Sequence, residues 1–140
     1  MSQTIDLTPK LQPVVSLEDQ VTRWLLLFEQ AVSSASSDTL RELFHEDCHW
    51  RDLLAVTWQV KTVSGLRNIL ALIQSFTPDT RPYGFQINQD HAAPRVVARA
   101  GVEVIEAIFC FETRVGRCFG VIRLTPPTSN TDQLKAWSLL

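Results

Sequence analysis

Halfway along the chain the apolar residues change period, and no other feature of the sequence limits the fold as much. Leu17, Val21, Trp24, Leu25, Phe28, Ala31 and Val32 recur at spacings of three and four, which gives a helix one wide apolar face. Ser16, with Asp19 three residues on, resembles a capping box at its start. The spacing returns after Ser64-Gly65 in Leu66, Ile69, Leu70, Ile73 and Phe76, and Pro78 and Pro82 are expected to end that helix. Beyond Pro82 the texture becomes strand-like. Tyr83 to Asn88 and Arg95 to Ala98 make short candidates, Val102 to Arg114 and Arg117 to Leu124 a hairpin about Val115-Gly116, and Leu134 to Leu140 a last strand. Helices first and strands afterwards give an α+β layout, with the helices on one face of a run of antiparallel strands.

Between the two long helices, Ser33 to Ser37 breaks the pattern, and Ser37 can cap a short helix whose apolar face is Leu40, Leu43 and Phe44. From Cys48 to Val60 the aromatic and β-branched content favours one bent strand or two short ones, with Trp50 and Asp52 on the same face. Residues 1–15, with Pro9 and Pro13 among polar residues, read as a flexible arm, and 16–140 as one domain. A turn at Val115-Gly116 sets Arg114 opposite Arg117 and aims Phe109, Phe111, Gly120 and Ile122 at the helices. Ile108, Cys110, Glu112, Phe119, Val121 and Arg123 then form an outer face that no helix is left to cover, a surface suited to a second subunit. Glu106, Glu112 and Arg123 are candidates for ion pairs across such a dimer, each contributing about 0 to 1 kcal/mol.

Composition removes several function classes. Thirteen Lys plus Arg against fifteen Asp plus Glu give a net charge of -2 over 140 residues, no excess with which to hold a nucleic-acid backbone or an anionic membrane. No apolar run approaches the roughly 20 residues of a membrane span. The first residues lack the basic and apolar regions of a signal peptide, so a cytoplasmic location is expected. Cys48, Cys110 and Cys118 are odd in number and lack CxxC spacing, as reduced thiols acting as small hydrophobes would be. His45, Cys48 and His49 include an HxxxH spacing, but a helix ending between them separates the imidazoles, and no metal is expected. The glycines are scattered without a phosphate-binding pattern, so no cofactor is expected either.

The order of elements, with Leu43-Phe44-His45-Glu46-Asp47 leading into His49-Trp50-Arg51-Asp52 and then Thr62-Val63-Ser64-Gly65, resembles the nuclear transport factor 2-like superfamily, which includes ketosteroid isomerases and SnoaL-like polyketide cyclases. His49-Trp50-Arg51-Asp52-Leu53-Leu54-Ala55 with Thr57-Trp58, Phe109-Cys110-Phe111-Glu112-Thr113, Gly120-Val121-Ile122-Arg123-Leu124 and Lys135-Ala136-Trp137 are similar to the N-terminal segment of certain flavin-containing monooxygenases. The resemblance implies a cone-shaped, cystatin-like fold: three helices on a curved antiparallel sheet, an apolar cavity open at one end, and a homodimer through the outer sheet face. It also implies that Asp52 stands where the isomerases carry their general base, while Phe28 and roughly Gly120 stand where they carry oxyanion donors. Neither of those two side chains can donate.

The expected function is therefore binding of a small hydrophobic molecule, with Phe28, Trp50, Trp58, Phe109, Phe111 and Ile122 as the walls and a flavin-dependent monooxygenase domain as a further partner. One alternative is an isomerase, dehydratase or cyclase with Asp52 as general base and the oxyanion held by backbone N–H groups or an indole of Trp50 or Trp58. Another is a dimeric interaction module. Each candidate also has a structural reading: Asp52 as a buried anchor, the tryptophans as core, His45 at a helix C-terminus.

Overall fold

Ser16 begins the order. In the computed structural model, which describes residues 16–53, 60–125 and 133–140, its side chain accepts the Asp19 N–H at 3.0 Å and starts helix α1 (Leu17–Ser34). Ala35, in the left-handed conformation, closes that helix. Helix α2 (Ser37–Leu43) is capped by Ser36 rather than Ser37, because the Ser36 hydroxyl reaches the Thr39 N–H. Phe44, expected on α2, is already extended and opens strand β1 (Phe44–Leu53), which puts His45 on that strand, in the first position past the C-cap of α2. After β2 (Val60–Ser64), helix α3 (Leu66–Thr80) runs through Pro78 instead of stopping there. The proline sits in the last turn, where few hydrogen bonds remain to be lost. The helix is closed by Arg81, left-handed and immediately before Pro82; the Arg81 N–H donates to the Thr77 carbonyl at 2.9 Å. Among the described residues no helix is long and apolar enough to cross a membrane.

The remaining elements are β3 (Tyr83–Ile87), β4 (Arg95–Arg99), β5 (Val102–Glu112), β6 (Arg117–Thr125) and β7 (Lys135–Leu139). They form one sheet in the order β2-β1-β7-β6-β5-β3, with β4 pairing the first half of β5. The sheet is mixed and not wholly antiparallel, because β7 enters between β1 and β6 and lies parallel to β1. Irregularities in register between Phe44 and His49, and between Arg123 and Leu124, flank that entry, and such bulges add bend and twist. The three helices pack against this curved, open sheet. The Trp24 indole N–H donates to the Leu43 carbonyl at 3.2 Å, and the Glu29 carboxylate accepts the Phe85 N–H of the outlying strand β3 at 2.8 Å. The arm at 1–15, Thr57, Trp58 and the Pro126-Pro127 pair lie outside the described residues.

The central hairpin shows how a slip can be harmless. Glu112 pairs with Arg117 and Phe109 with Gly120, so the loop is the four residues Thr113 to Gly116 and not Val115-Gly116 alone. The Thr113 N–H and hydroxyl both donate to the Gly116 carbonyl, at 2.8 and 3.2 Å, and its oxygen accepts the Val115 N–H at 3.3 Å. A threonine that satisfies three turn groups holds the wider loop. Because the pairing differs by two residues, the period of a strand, each side chain keeps its expected face. Ile105, Ala107, Phe109, Phe111, Ile122 and Leu124 are buried in the core, while Phe119 on the other face is 59% exposed.

On that outer face Glu106 is engaged within its own chain. Arg99 donates to it twice at 3.0 Å, Arg123 once at 2.9 Å and Arg95 at 3.5 Å. The Arg99 hydrogen bond, followed by that of Arg123, outweighs partial burial and holds the Glu106 carboxyl down at about 2. A carboxyl depressed on folding stabilises the fold above its unfolded pKa, and that contribution fades as pH falls through the folded value. Glu106→Gln is accordingly expected to be less stable than the parent at pH 7 by urea denaturation, with the gap closing between about pH 5 and pH 2. On the inner face, a Cβ on Gly120 would stand 2.4 Å from the Phe109 ring and 2.7 Å from the Leu140 carbonyl oxygen. Gly120→Ala should cost roughly 1–3 kcal/mol by the same measurement, whereas Gly116→Ala, with nothing within 4 Å, should change stability by less than about 0.5 kcal/mol.

Candidate functional site

The helical period of α1 points Phe28 at the sheet, and four rings meet it there. Trp24 stacks on it at 5.1 Å between centroids, Phe85 meets it edge-on at 5.2 Å, and Phe44 and Trp50 follow at 5.9 and 6.3 Å. Trp50 continues to Phe76 of α3 at 5.7 Å. On the other flank Phe85 lies almost parallel to Phe111, 4.7 Å away at 9°, and Phe109 stacks loosely on both. Phe28, Trp50, Phe76, Phe85, Phe109 and Phe111 form an arc around one cavity of about 350 Å³, to which Val32 and Leu139 add aliphatic wall, while Trp24 and Phe44 lie in the core behind it. The volume lies in the range of pockets that enclose small organic molecules.

Asp52 is the carboxylate in this wall. Alternation along β1 carries Cys48, Trp50 and Asp52 inward and leaves Arg51 exposed, its guanidinium 3.5 Å from the Thr62 hydroxyl. Asp52 is 3% exposed and makes an interaction within the chain. Its charge reaches Cys118: that thiol is raised first by burial and also by Asp52, against a hydrogen bond from Thr113 that lowers it. Phe28 and Gly120, the two positions that the resemblance aligned with oxyanion donors, line the same cavity. The ring of Phe109 occupies the space that a side chain at position 120 would need.

Of the residues singled out from sequence, Phe28, Trp50, Asp52, Phe109 and Phe111 are thus brought together in one wall. Ile122 is fully buried in the core and does not reach the cavity, and Trp58 lies outside the described residues. Phe85 and Phe76 join the wall without having been singled out. The signal for Phe85 was available, since the alternation Tyr83, Phe85, Ile87 marks one face of a strand. Phe76 belongs to the apolar face of α3, and only the packing of that helix beside β1 sets its ring against Trp50.

The histidine and cysteine cluster separates in space. His45 Nε2 hydrogen-bonds with the Thr125 hydroxyl and His49 Nδ1 with that of Ser64 at 2.9 Å, while Cys48 is buried. Burial, then the nearby Lys135, lowers the His45 pKa, with Asp47 opposing. Burial, with Asp47 adding to it, raises the Cys48 thiol to about 11, far from the depressed values of reactive cysteines. Among the described residues no group of three or more His, Cys, Asp or Glu is placed to hold a metal ion.

No family model matches the chain. No curated protein matches it significantly. Solved structures do match. A nuclear transport factor 2-like superfamily protein from Salmonella enterica serovar Typhimurium superposes with a TM-score of 0.54 at 10% identity, over 88% of this chain and 87% of that one. DUF4783 family proteins from Bacteroides fragilis and Bacteroides uniformis superpose with TM-scores of 0.51, at 12% and 11% identity, over 80% of this chain and 90% and 89% of theirs. Identities this low speak to architecture alone, and in architecture the chain has the nuclear transport factor 2-like fold.

Proposed function

We propose that the protein binds a small hydrophobic molecule inside the cone, as a SnoaL-like domain without strong catalysis of its own. The observation that carries this reading is the arc of aromatic rings around a cavity whose buried ionisable group, among the described lining residues, is Asp52. A general base acting on a carbonyl compound needs a partner for the developing oxyanion, and losing one such donor commonly costs about 3–4 kcal/mol in the transition state. Phe28 and Gly120 offer no side-chain donor at the positions where the resemblance looks for one, which weighs for binding over turnover. The kinship with the accessory N-terminal domain of flavin-containing monooxygenases rests on the sequence segments quoted above, and a flavoenzyme partner remains part of this proposal.

A second reading, a homodimer through the outer sheet face, is favoured by one observation. Phe119 and Val121 stand on the outer face yet also border the cavity, so a partner subunit seated on that face would shield them and close the opening at once.

Two experiments test these readings. The neutral dye N-phenyl-1-naphthylamine should bind saturably at one per chain by fluorescence, and Val32→Phe, which narrows the cavity, should weaken it by roughly tenfold, equivalent to about 1.4 kcal/mol; absence of saturable binding removes the pocket reading. Val121→Glu should convert a dimer to monomer in analytical ultracentrifugation while the fold is kept, whereas Phe111→Glu, burying an unpaired charge, should unfold the chain or abolish dye binding. An intact Val121→Glu dimer removes the outer-face assignment.

A further inference from the structure

We infer that Glu29 is a positioning residue of this cavity: its carboxylate, on the flank of α1, sets where the Phe85 ring stands and so how wide a ligand the space admits. This inference rests on the pocket reading above and adds the residue that adjusts the site. Among the described residues of β3, Phe85 is the one that lines the cavity. Its ring lies nearly parallel to Phe111 at 4.7 Å and edge-on to Phe28 at 5.2 Å. It thereby joins the sheet side of the wall to the helix side.

The strand ladder lapses where this ring is carried. Tyr83 pairs with Glu112 and Gln86 with Cys110 of β5, so Gly84 and Phe85 together stand opposite Phe111 alone. Two residues against one make a bulge, which re-aims a side chain and interrupts local pairing. Gly84, at φ 70°, takes the left-handed conformation on this path, which a residue without Cβ adopts freely. Further along, Asn88 donates to the Ile108 carbonyl of β5. Hydrogen-bonding directions alternate along an antiparallel strand, so the Phe85 N–H points off the edge of the sheet, and there Glu29 accepts it at 2.8 Å.

A carboxylate that merely covered an open sheet edge could meet any residue of β3, and water would serve an exposed N–H nearly as well. Glu29 meets the β3 residue of the cavity wall, at the break in the ladder. It does so from between Phe28 and Val32, the α1 residues that line the same cavity. The approach of Gln89 to Glu18, nearer the start of α1, is longer at 3.5 Å. A backbone N–H bound to a carboxylate is held about twice as strongly as in a neutral pair, so at a bulge with a glycine beside it the position of Phe85 follows the carboxylate.

The test measures fluorescence binding of N-phenyl-1-naphthylamine to the parent and to Glu29→Ala, Glu29→Asp and Glu29→Gln, each at a temperature where circular dichroism shows the chain folded. Removing the acceptor in Glu29→Ala, or withdrawing it by one methylene in Glu29→Asp, is expected to weaken the dye roughly tenfold, while Glu29→Gln, which keeps an oxygen at the same reach, stays within about threefold of the parent. In a Phe85→Leu background the difference between Glu29→Asp and Glu29→Gln should shrink to within about twofold, because Glu29 acts through that ring. A merely structural contact would lower the melting temperature and leave the affinity of the folded chain unchanged. Affinity within about threefold of the parent in Glu29→Asp therefore overturns the inference and leaves the pocket standing, and Glu29→Asp carries that comparison if Glu29→Ala does not fold. Equal losses in Glu29→Gln and Glu29→Asp overturn the part assigned to the hydrogen bond, and a difference undiminished by Phe85→Leu overturns the route through Phe85. If the dye does not bind the parent saturably, the pocket reading fails and takes this inference with it.

Discussion

Everything in the interior is arranged around Phe28. One ring on α1 contacts Trp24 on its own helix, Phe44 and Trp50 on β1, and Phe85 on β3. It therefore ties the helical layer to both flanks of the sheet. The side facing Trp24 and Phe44 is solid core, and the side facing Trp50 and Phe85 is cavity wall. Aromatic pairs add about 0.5–1.5 kcal/mol each beyond their buried area, so the same contacts that hold the layers together also fix the shape of the empty space. A cavity with stiff walls costs stability, since the atoms bordering it lack partners on one side. Rings already locked to one another are what keep such a space from collapsing.

Much of the fold was legible because each element satisfied its own period. The two long helices, the strands from Tyr83 onward and the inner face of the hairpin could be read from apolar spacing, and the hairpin faces survived even a misplaced turn because an even slip preserves them. What escaped was decided at junctions. Ser36 and Ser37 are chemically interchangeable as caps, and only the path of the chain out of α1 selects the first. Phe44 suits a helix face or a strand equally. The parallel pairing of β7 with β1 leaves no local trace, since strand direction depends on where β7 is carried after β6.

The site was legible to the same degree and for the same reasons. Alternation placed Trp50 with Asp52, and Phe109 with Phe111, facing inward. Ile122 shares that face but is fully buried in the core and stands outside the cavity lining, a matter of position along the strand that period does not record. Gly120 is the more instructive residue. It offers no donor and no bulk, and its meaning emerged only when the Phe109 ring was found filling its place, the way an aromatic neighbour rescues a glycine in a sheet.

The insertion of β7 between β1 and β6 bears on how the protein reaches this state. β2 and β1 form one antiparallel pair, β6, β5, β4 and β3 form another local group, and among the described strands the sheet joins the two groups through β7. The pairing of Phe44 with Ala136 closes a loop spanning most of the chain. Contacts of such high sequence separation form late and slowly. Until then the edges of β1 and β6 stay open, with unpaired backbone that another chain could adopt. The long-range pairing of β7 is thus also the one that covers both open edges and seals the sheet against its neighbours.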